Sequence, residues 1–522
     1  MPKACRYKKE NRDLTEHASR TWKYFLAGAL FAAFVTPAFI SYRPYSLSWD
    51  DADYLLRAVS ASRAFWSGNF HGLGAAMVSW HAPAMTLLGL PWGPMTSRAA
   101  AGNCFLTLAA VIALIAASSL YMLLRIGVKP VFLILAAGCV GVSLGPYPPG
   151  LHAGSYDNHA IATGFMADSL LSWVTLAAVL PIAYEKSIAC PSVKAAVVRG
   201  LLCASIMSAG VLTKVNFLYF LVLVTGVLFL TLLRNSGWPI AAAWLATFCF
   251  CCVPAAFYMV RYGGSAFAQA KAASFGGLAN FYHVPLFSFF RATVAESPGL
   301  LVSTLLEGTV LVYLATAKRL KLSDINVWAF LIVLGFLIIV LAAPSKQSRY
   351  LFPVIVTLPF LLAVLMPAKA EPTAAPVAAT VAALVFVGIV GAAVPTRQRI
   401  NWQSLARADA VQEMAVNCKA RNILLATDSP TLNVFLMNLD LDFSVPSISA
   451  GTLAYQAMNG IPIEEDLHTI TQSDMIVFQD PRHTNPKFTN QRVSQYEQYV
   501  RQSNSDPIRV GDDITIYSGC LH

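Results

Sequence analysis

Apolar stretches of about 17–24 residues recur along most of this chain, each long enough to cross a bilayer as a helix. Inside hydrocarbon every backbone N–H and C=O must be satisfied within its own segment, which leaves a packed bundle of α-helices as the outcome for such runs. Spans are read at 23–40, 101–124, 130–146, 164–182, 195–212, 216–233, 239–259, 299–316, 325–343, 350–366 and 375–395. Only 12% of the 522 residues are charged and 56% are hydrophobic, with a mean hydropathy of +0.57. A typical soluble domain is about 25% charged, so a soluble enzyme, a nucleic-acid-binding module and a disordered regulator are excluded. The expected fold is an α-helical polytopic membrane protein with about eleven transmembrane helices.

The charges give an orientation. Residues 1–22 form a basic tail (Lys3, Arg6, Lys8, Lys9, Arg12, Arg20), which the positive-inside rule places in the cytoplasm. Alternate short loops carry Arg125 and Lys129; Lys186, Lys194 and Arg199; Arg234; Lys318, Arg319 and Lys321; and Lys369. Beyond residue 395 the balance reverses, with 10 Lys+Arg against 14 Asp+Glu, while the first 395 residues carry a net +14. An odd number of spans leaves residues 396–522 outside. A cleaved signal peptide is the alternative for the first span, because Thr36-Pro37-Ala38 is similar to a small-residue cleavage site; the sidedness is the same either way.

Long connections mark function more often than short ones do. Three are long and all face outward: 41–100, 260–298 and 396–522. In the first, Tyr54, Leu55, Ala58, Val59, Ser62, Phe65 and Trp66 recur at helical spacing and predict an amphipathic helix lying along the interface. A Pro- and aromatic-rich stretch follows, from Trp80-His81-Ala82-Pro83 to Pro91-Trp92-Gly93-Pro94. The last predicts a small C-terminal extracytoplasmic α/β domain, with strands at 423–426, 475–478 and 514–517 and a helix at 491–502. Of 10 Cys, only Cys418 and Cys520 fall in that domain; a bridge between them and two unrelated thiols are both open.

So few acids precede residue 396 that all can be placed. Glu10, Asp13, Glu16, Glu185, Asp324 and Glu371 are cytoplasmic by this topology, and Glu307 falls inside a span. Asp50, Asp51, Asp53, Asp157, Asp168 and Glu296 face outward. For Asp50, Asp51 and Asp53 a helix N-terminus and a chemical role are both open; one Asp suffices to cap a helix, while three within four residues repel one another and raise a pKa, which favours the chemical role. Asp168 opens the fourth span, where a helix cap and a functional carboxylate are both open, as they are for Asp157 and His159 just before it. Lys214, Lys346 and Arg349 break the positive-inside pattern; they are either interfacial snorkellers or anion ligands, and Arg offers phosphate a planar fork.

Four stretches resemble the polyprenyl-phosphate-sugar-dependent glycosyltransferases of the GT-C superfamily, on the branch holding protein O-mannosyltransferases, the lipid A aminoarabinose transferase and rhizobial lipopolysaccharide core transferases. They are Trp49-Asp50-Asp51-Ala52-Asp53-Tyr54 with the later Ser67-Gly68-Asn69 turn, Met166-Ala167-Asp168-Ser169, Gly210-Val211-Leu212-Thr213-Lys214, and Ser348-Arg349-Tyr350-Leu351-Phe352-Pro353. Where relatives often carry Lys-Pro-Pro in the first loop, this chain has His81-Ala82-Pro83.

The resemblance implies a GT-C-like catalytic domain over 23–395 at the periplasmic face of a bacterial inner membrane. The donor would be a polyprenyl-phosphate sugar and the acceptor an envelope glycan, lipid or protein, such as lipopolysaccharide or lipid A, with no nucleic acid partner. Asp50, Asp51 and Asp168 would be catalytic, with Asp50 as base in an inverting transfer. Asp53, His81, Asp157, His159, Lys214, Lys346, Arg349 and Tyr350 would bind substrate, and a divalent metal bridging Asp50 and Asp168 is an open option. The alternative class is a multi-pass transporter or flippase of lipid-linked substrates, whose ionisable groups would sit near the membrane midplane.

Overall fold

A computed structural model describes residues 47, 49–78, 82–144, 166–187, 192–265, 267–268, 271, 283–296, 298–322, 324–344, 346–366, 405–429, 431–454, 456, 461–480, 492–502 and 507–518. The spans read at 23–40 and 375–395 lie outside these residues. Each of the others is a helix: α3 (Asn103–Arg125), α4 (Pro130–Leu144), α5 (Ala167–Ser187), α6 (Val193–Thr213), α7 (Leu218–Ser236), α8 (Trp238–Tyr262), α10 (Pro298–Thr316), α11 (Ile325–Ala342) and α12 (Phe352–Leu365). Among the described residues seven helices are long and apolar enough to cross a membrane, and Val131–Leu144 and Arg349–Leu365 are shorter apolar helices. The chain is a multi-pass, predominantly helical membrane protein.

The bundle is organised around α5, which packs against α3, α6, α7, α11 and α12. Its spanning window is 89% buried, against 11% for α10 at the periphery. Hydroxyls survive inside it by bonding their own helix: Ser172 donates to the Asp168 carbonyl at 2.7 Å and Thr175 to Leu171 at 2.8 Å. Outer helices instead present apolar side chains such as Phe250, Phe257, Val260 and Leu305 to the surroundings, as lipid-facing helices must. Glu307 of α10 accepts from Ser303 at 2.7 Å.

Before the bundle, α1 (Trp49–Trp66) and α2 (Phe70–Met77) form a loop structure joined by the Ser-Gly-Asn turn. Gly68 sits at φ +73, a conformation glycine adopts without strain, and Asn69 caps α2 by accepting from the Gly72 amide at 2.8 Å. Tyr54, Leu55, Ala58, Val59 and Ser62 are buried as the helical spacing predicts, but Phe65 and Trp66 are exposed at 40% and 53%. The apolar stripe therefore ends one turn earlier than its sequence, where α1 runs out of packing partners. Against its flank the loop comes so close that a side chain on Gly89 would run into the Ala58 carbonyl group. Between α8 and α10, within 260–298, lies the amphipathic helix α9 (Leu286–Glu296).

The C-terminal domain is α/β, as expected. Helices α13 (Ala406–Asn417), α14 (Val434–Ser444), α15 (Ile463–Thr471) and α16 (Val493–Gln502) surround a sheet of order β2-β1-β3-β5-β4. The strands are β1 (Asn422–Leu425), β2 (Ser449–Thr452), β3 (Met475–Gln479), β4 (Ile508–Val510) and β5 (Ile514–Ser518). β2, β1 and β3 run parallel, with Ile423 opposite both Ala450 and Met475; β5 and β4 are antiparallel. Cys418 is disulfide-bonded, and Cys520 lies outside the described residues.

The tight loop–α1 contact gives a first prediction. Gly89→Ala forces backbone apart, a distortion that typically costs about 1–3 kcal/mol. Thermal unfolding of the detergent-solubilised variant should begin several degrees below wild type; an unchanged melting temperature would show that the contact is slack.

Candidate active site

Four helix ends meet at one end of the bundle. Asp50 and Asp51 occupy the first turn of α1 and Asp168 the first turn of α5, where a negative charge complements the helix dipole. Lys214 is the residue after α6. Its backbone is extended, its N–H bonds the Gly210 carbonyl at 3.0 Å, and a 3-10 turn over Val215–Phe217 leads into α7. Phe217 folds back onto Gly210 so closely that any side chain there would overlap its ring. The glycine four residues before the lysine thus makes room for the corner that aims Lys214 sideways. Arg349 and Tyr350 sit in a 3-10 turn, Ser348–Leu351, at the head of α12, where Pro353 needs no hydrogen-bond partner for its nitrogen.

These ends close into a compact charge cluster. Lys214 forms an ion pair with Asp168, and Arg349 with Asp50. The Tyr350 ring joins them, with Lys214 Nζ 5.2 Å and the Arg349 guanidinium carbon 5.6 Å from its centroid, within cation–π range. Asp168 is 2% exposed and Asp51 fully buried, whereas the side chains of Asp50 and Arg349 keep 23% and 16% of their exposure. The Lys214 side chain keeps 20% as well, so Asp50 and both cations remain partly accessible while Asp168 and Asp51 do not.

Tyr54 reads in the sequence as part of the apolar stripe and as the end of the Trp49–Tyr54 stretch, without a role of its own, yet it belongs to this cluster. Four residues after Asp50, it lies on the same face of α1 and is 2% exposed. Burial above all pushes its phenol well above the usual tyrosine range; the charges of Asp50, Asp168 and Asp53 push the same way, against Arg349. The phenol is therefore neutral at physiological pH, a wall of the site rather than its base.

Not every expected residue joins. Asp53 turns along its own helix to Arg57, with both carboxylate oxygens 3.0 Å from Nε, so its charge is answered locally. Lys346 donates to the Val284 carbonyl at 3.0 Å, serving the connection ahead of α9. His81, Asp157 and His159 lie outside the described residues. Among the described residues no three His, Cys, Asp or Glu side chains group to hold a metal ion. Asp50 and Asp168 each face a cationic side chain.

Removing one partner of a buried ion pair strands the other charge, at about 3–5 kcal/mol. Lys214→Met should therefore lower thermal stability sharply, and adding Asp168→Asn should restore part of it. If the double variant is no more stable than the single, the pairing does not stabilise the bundle.

No protein-family model matches the chain, and no curated protein does. Solved structures similar to it run along nearly its whole length. ArnT from Cupriavidus metallidurans bound to undecaprenyl phosphate is 15% identical with a TM-score of 0.49, over 95% of this chain and 97% of that one. The same protein in the apo state gives 14% and 0.48, over 96% and 98%. Arabinofuranosyltransferase AftD from Mycobacteria gives 13% and 0.47, over 95% of this chain and 40% of that one.

Proposed function

We propose that this protein is an integral-membrane glycosyltransferase that moves a sugar from a polyprenyl-phosphate donor to an envelope acceptor (lipopolysaccharide or lipid A, another glycan, or protein) at the periplasmic face of a bacterial inner membrane. The observation that carries this reading is the pairing of two helix-terminal carboxylates, Asp50 and Asp168, with two cations, Arg349 and Lys214, around one tyrosine ring.

The chemistry suits that inventory. A sugar on a lipid phosphate already has a good leaving group, so the paired carboxylates of glycoside hydrolysis are not needed. The acceptor hydroxyl attacks the anomeric carbon opposite the phosphate, its proton passes to Asp50, and the bond from that carbon to the phosphate oxygen breaks. The anomeric centre inverts. The phosphate enters as a singly charged diester and leaves as a monoester carrying up to two charges. Arg349 and Lys214 therefore hold it more strongly as the bond breaks, which is the differential stabilisation that accelerates a reaction. Asp51 and Tyr54 shape the acid's surroundings, and Asp168 holds Lys214 until the phosphate arrives.

In this scheme the donor phosphate competes with Asp50 for Arg349, so donor binding itself releases the base. Asp50→Asn should then separate binding from chemistry. Transfer should fall by about 10²–10⁴, the range for a lost general base. Polyprenyl-phosphate affinity should rise by about 2–5-fold, because a competing carboxylate of modest worth has gone. Undiminished transfer would remove Asp50 as base, and retention of anomeric configuration in the product would contradict direct attack.

A further inference from the structure

Asp168, Lys214 and Arg349 sit at the ends of helices packed into the bundle, but Asp50 rides on α1, which belongs to the outer loop and is fixed by different contacts. We propose that the C-terminal α/β domain is a clamp that fixes α1, and that Arg98 and Asp440 are positioning residues for Asp50. This rests on the transferase reading for its kinetic consequence, though not for its structural one.

The clamp is visible as a joint between three pieces of chain. Helix α14 packs along α1. Arg63, in the last turn of α1, pairs with the Asp442 carboxylate at 3.0 Å, donates to the Asp442 carbonyl at 3.0 Å and lies 5.3 Å from the Phe443 ring centroid. It also donates to the Met95 carbonyl, while Ser62 donates to the Gly93 carbonyl, which ties the same end of α1 to the segment leading to Arg98. Arg98 then crosses to the domain, where it pairs with Asp409 of α13 at 2.5 Å and with the fully buried Asp440 of α14.

The domain side of this joint is stiff. Asn433 caps α14 through the Phe435 and Leu436 amides. Asn438 bridges to β2, donating to the Ala450 carbonyl and accepting from its amide, both at 2.9 Å. Leu436, Met437, Leu439 and Leu441 are buried. Between Arg63 and Asp50 the helix spans about 20 Å at 1.5 Å per residue. A tilt of about 3° at the joint displaces Asp50 by about 1 Å, and a misplacement of that size costs about 100-fold in rate.

The test uses the full chain in detergent, with Asp440→Asn, Arg98→Ala and Arg98→Lys. Two readouts are taken: hydrogen exchange in peptides covering 50–63, and turnover per bound donor alongside donor affinity. Asp440→Asn keeps the shape of the buried side chain and so stays folded even where Arg98→Ala does not. Expected are faster exchange in α1 with unchanged exchange in α5 and α6, turnover reduced about tenfold or more with donor affinity not weakened, since a displaced Asp50 competes less for Arg349, and partial recovery in Arg98→Lys. Unchanged exchange in α1 overturns the clamp, and faster exchange with full turnover overturns the positioning role. A wild type that transfers no polyprenyl-phosphate sugar refutes the transferase reading instead, and the exchange result then decides the clamp alone.

Discussion

A carboxylate at the head of the most buried helix in a membrane bundle must have its charge answered on the spot. Asp168 is that carboxylate, 2% exposed, and Lys214 answers it from the corner after α6. Much of the local architecture follows from bringing this lysine to that place. Gly210 leaves room for Phe217, Phe217 fixes the turn, and the extended backbone of Lys214 sends its amine across to α5. Once Lys214 is placed, Tyr350 stacks beneath it and brings Arg349, whose guanidinium meets Asp50 of the outer loop. The apolar bundle thus ends in a charge cluster that pairs each acid with a cation, the residue set that the proposed phosphate-leaving reaction needs.

How much of this was legible in the sequence depends on the physics that writes each feature. Spanning helices are written as long apolar runs because the bilayer allows little else, and those between residues 101 and 366 appear where the runs lie. In the C-terminal domain, β1, β3 and β5 are legible because they are buried and rich in Ile, Leu, Val and Phe. β2, Ser449-Ala450-Gly451-Thr452, is not: it is an edge strand without an apolar pattern, held by its pairing to Asn422–Leu425. Helices α13 and α14 mix polar and apolar residues without a one-sided stripe, and α15 carries one, Ile463, Leu467 and Ile470, over only nine residues.

The site was legible by scarcity. In a chain this poor in acids, the few outward-facing ones stand out, as do cations on the wrong side. What the sequence does not carry is pairing. Asp50 and Arg349 are 299 residues apart, and Arg98 and Asp440 are 342 apart, so no local spacing links either pair. For the same reason Asp53 and Lys346 read as substrate ligands beside Asp50 and Arg349, although the structure turns one to Arg57 and the other to a backbone carbonyl. Arg63 and Arg98 passed unnoticed because their partners belong to the distant C-terminal domain. Tyr54 did carry a signal, its four-residue spacing from Asp50 on a predicted helix, but a buried aromatic on an apolar stripe is more often packing than chemistry.

The central claim is that Arg349 and Lys214 form one phosphate site. It is tested most directly by phosphorus NMR of a short-chain polyprenyl phosphate titrated with purified protein. The account predicts that the resonance shifts with saturation at one lipid per chain, and that the shift is lost in Arg349→Ala combined with Lys214→Met and Asp168→Asn, the last keeping the bundle free of a stranded charge. A shift of equal size and affinity in that triple variant would place the phosphate elsewhere and contradict the account.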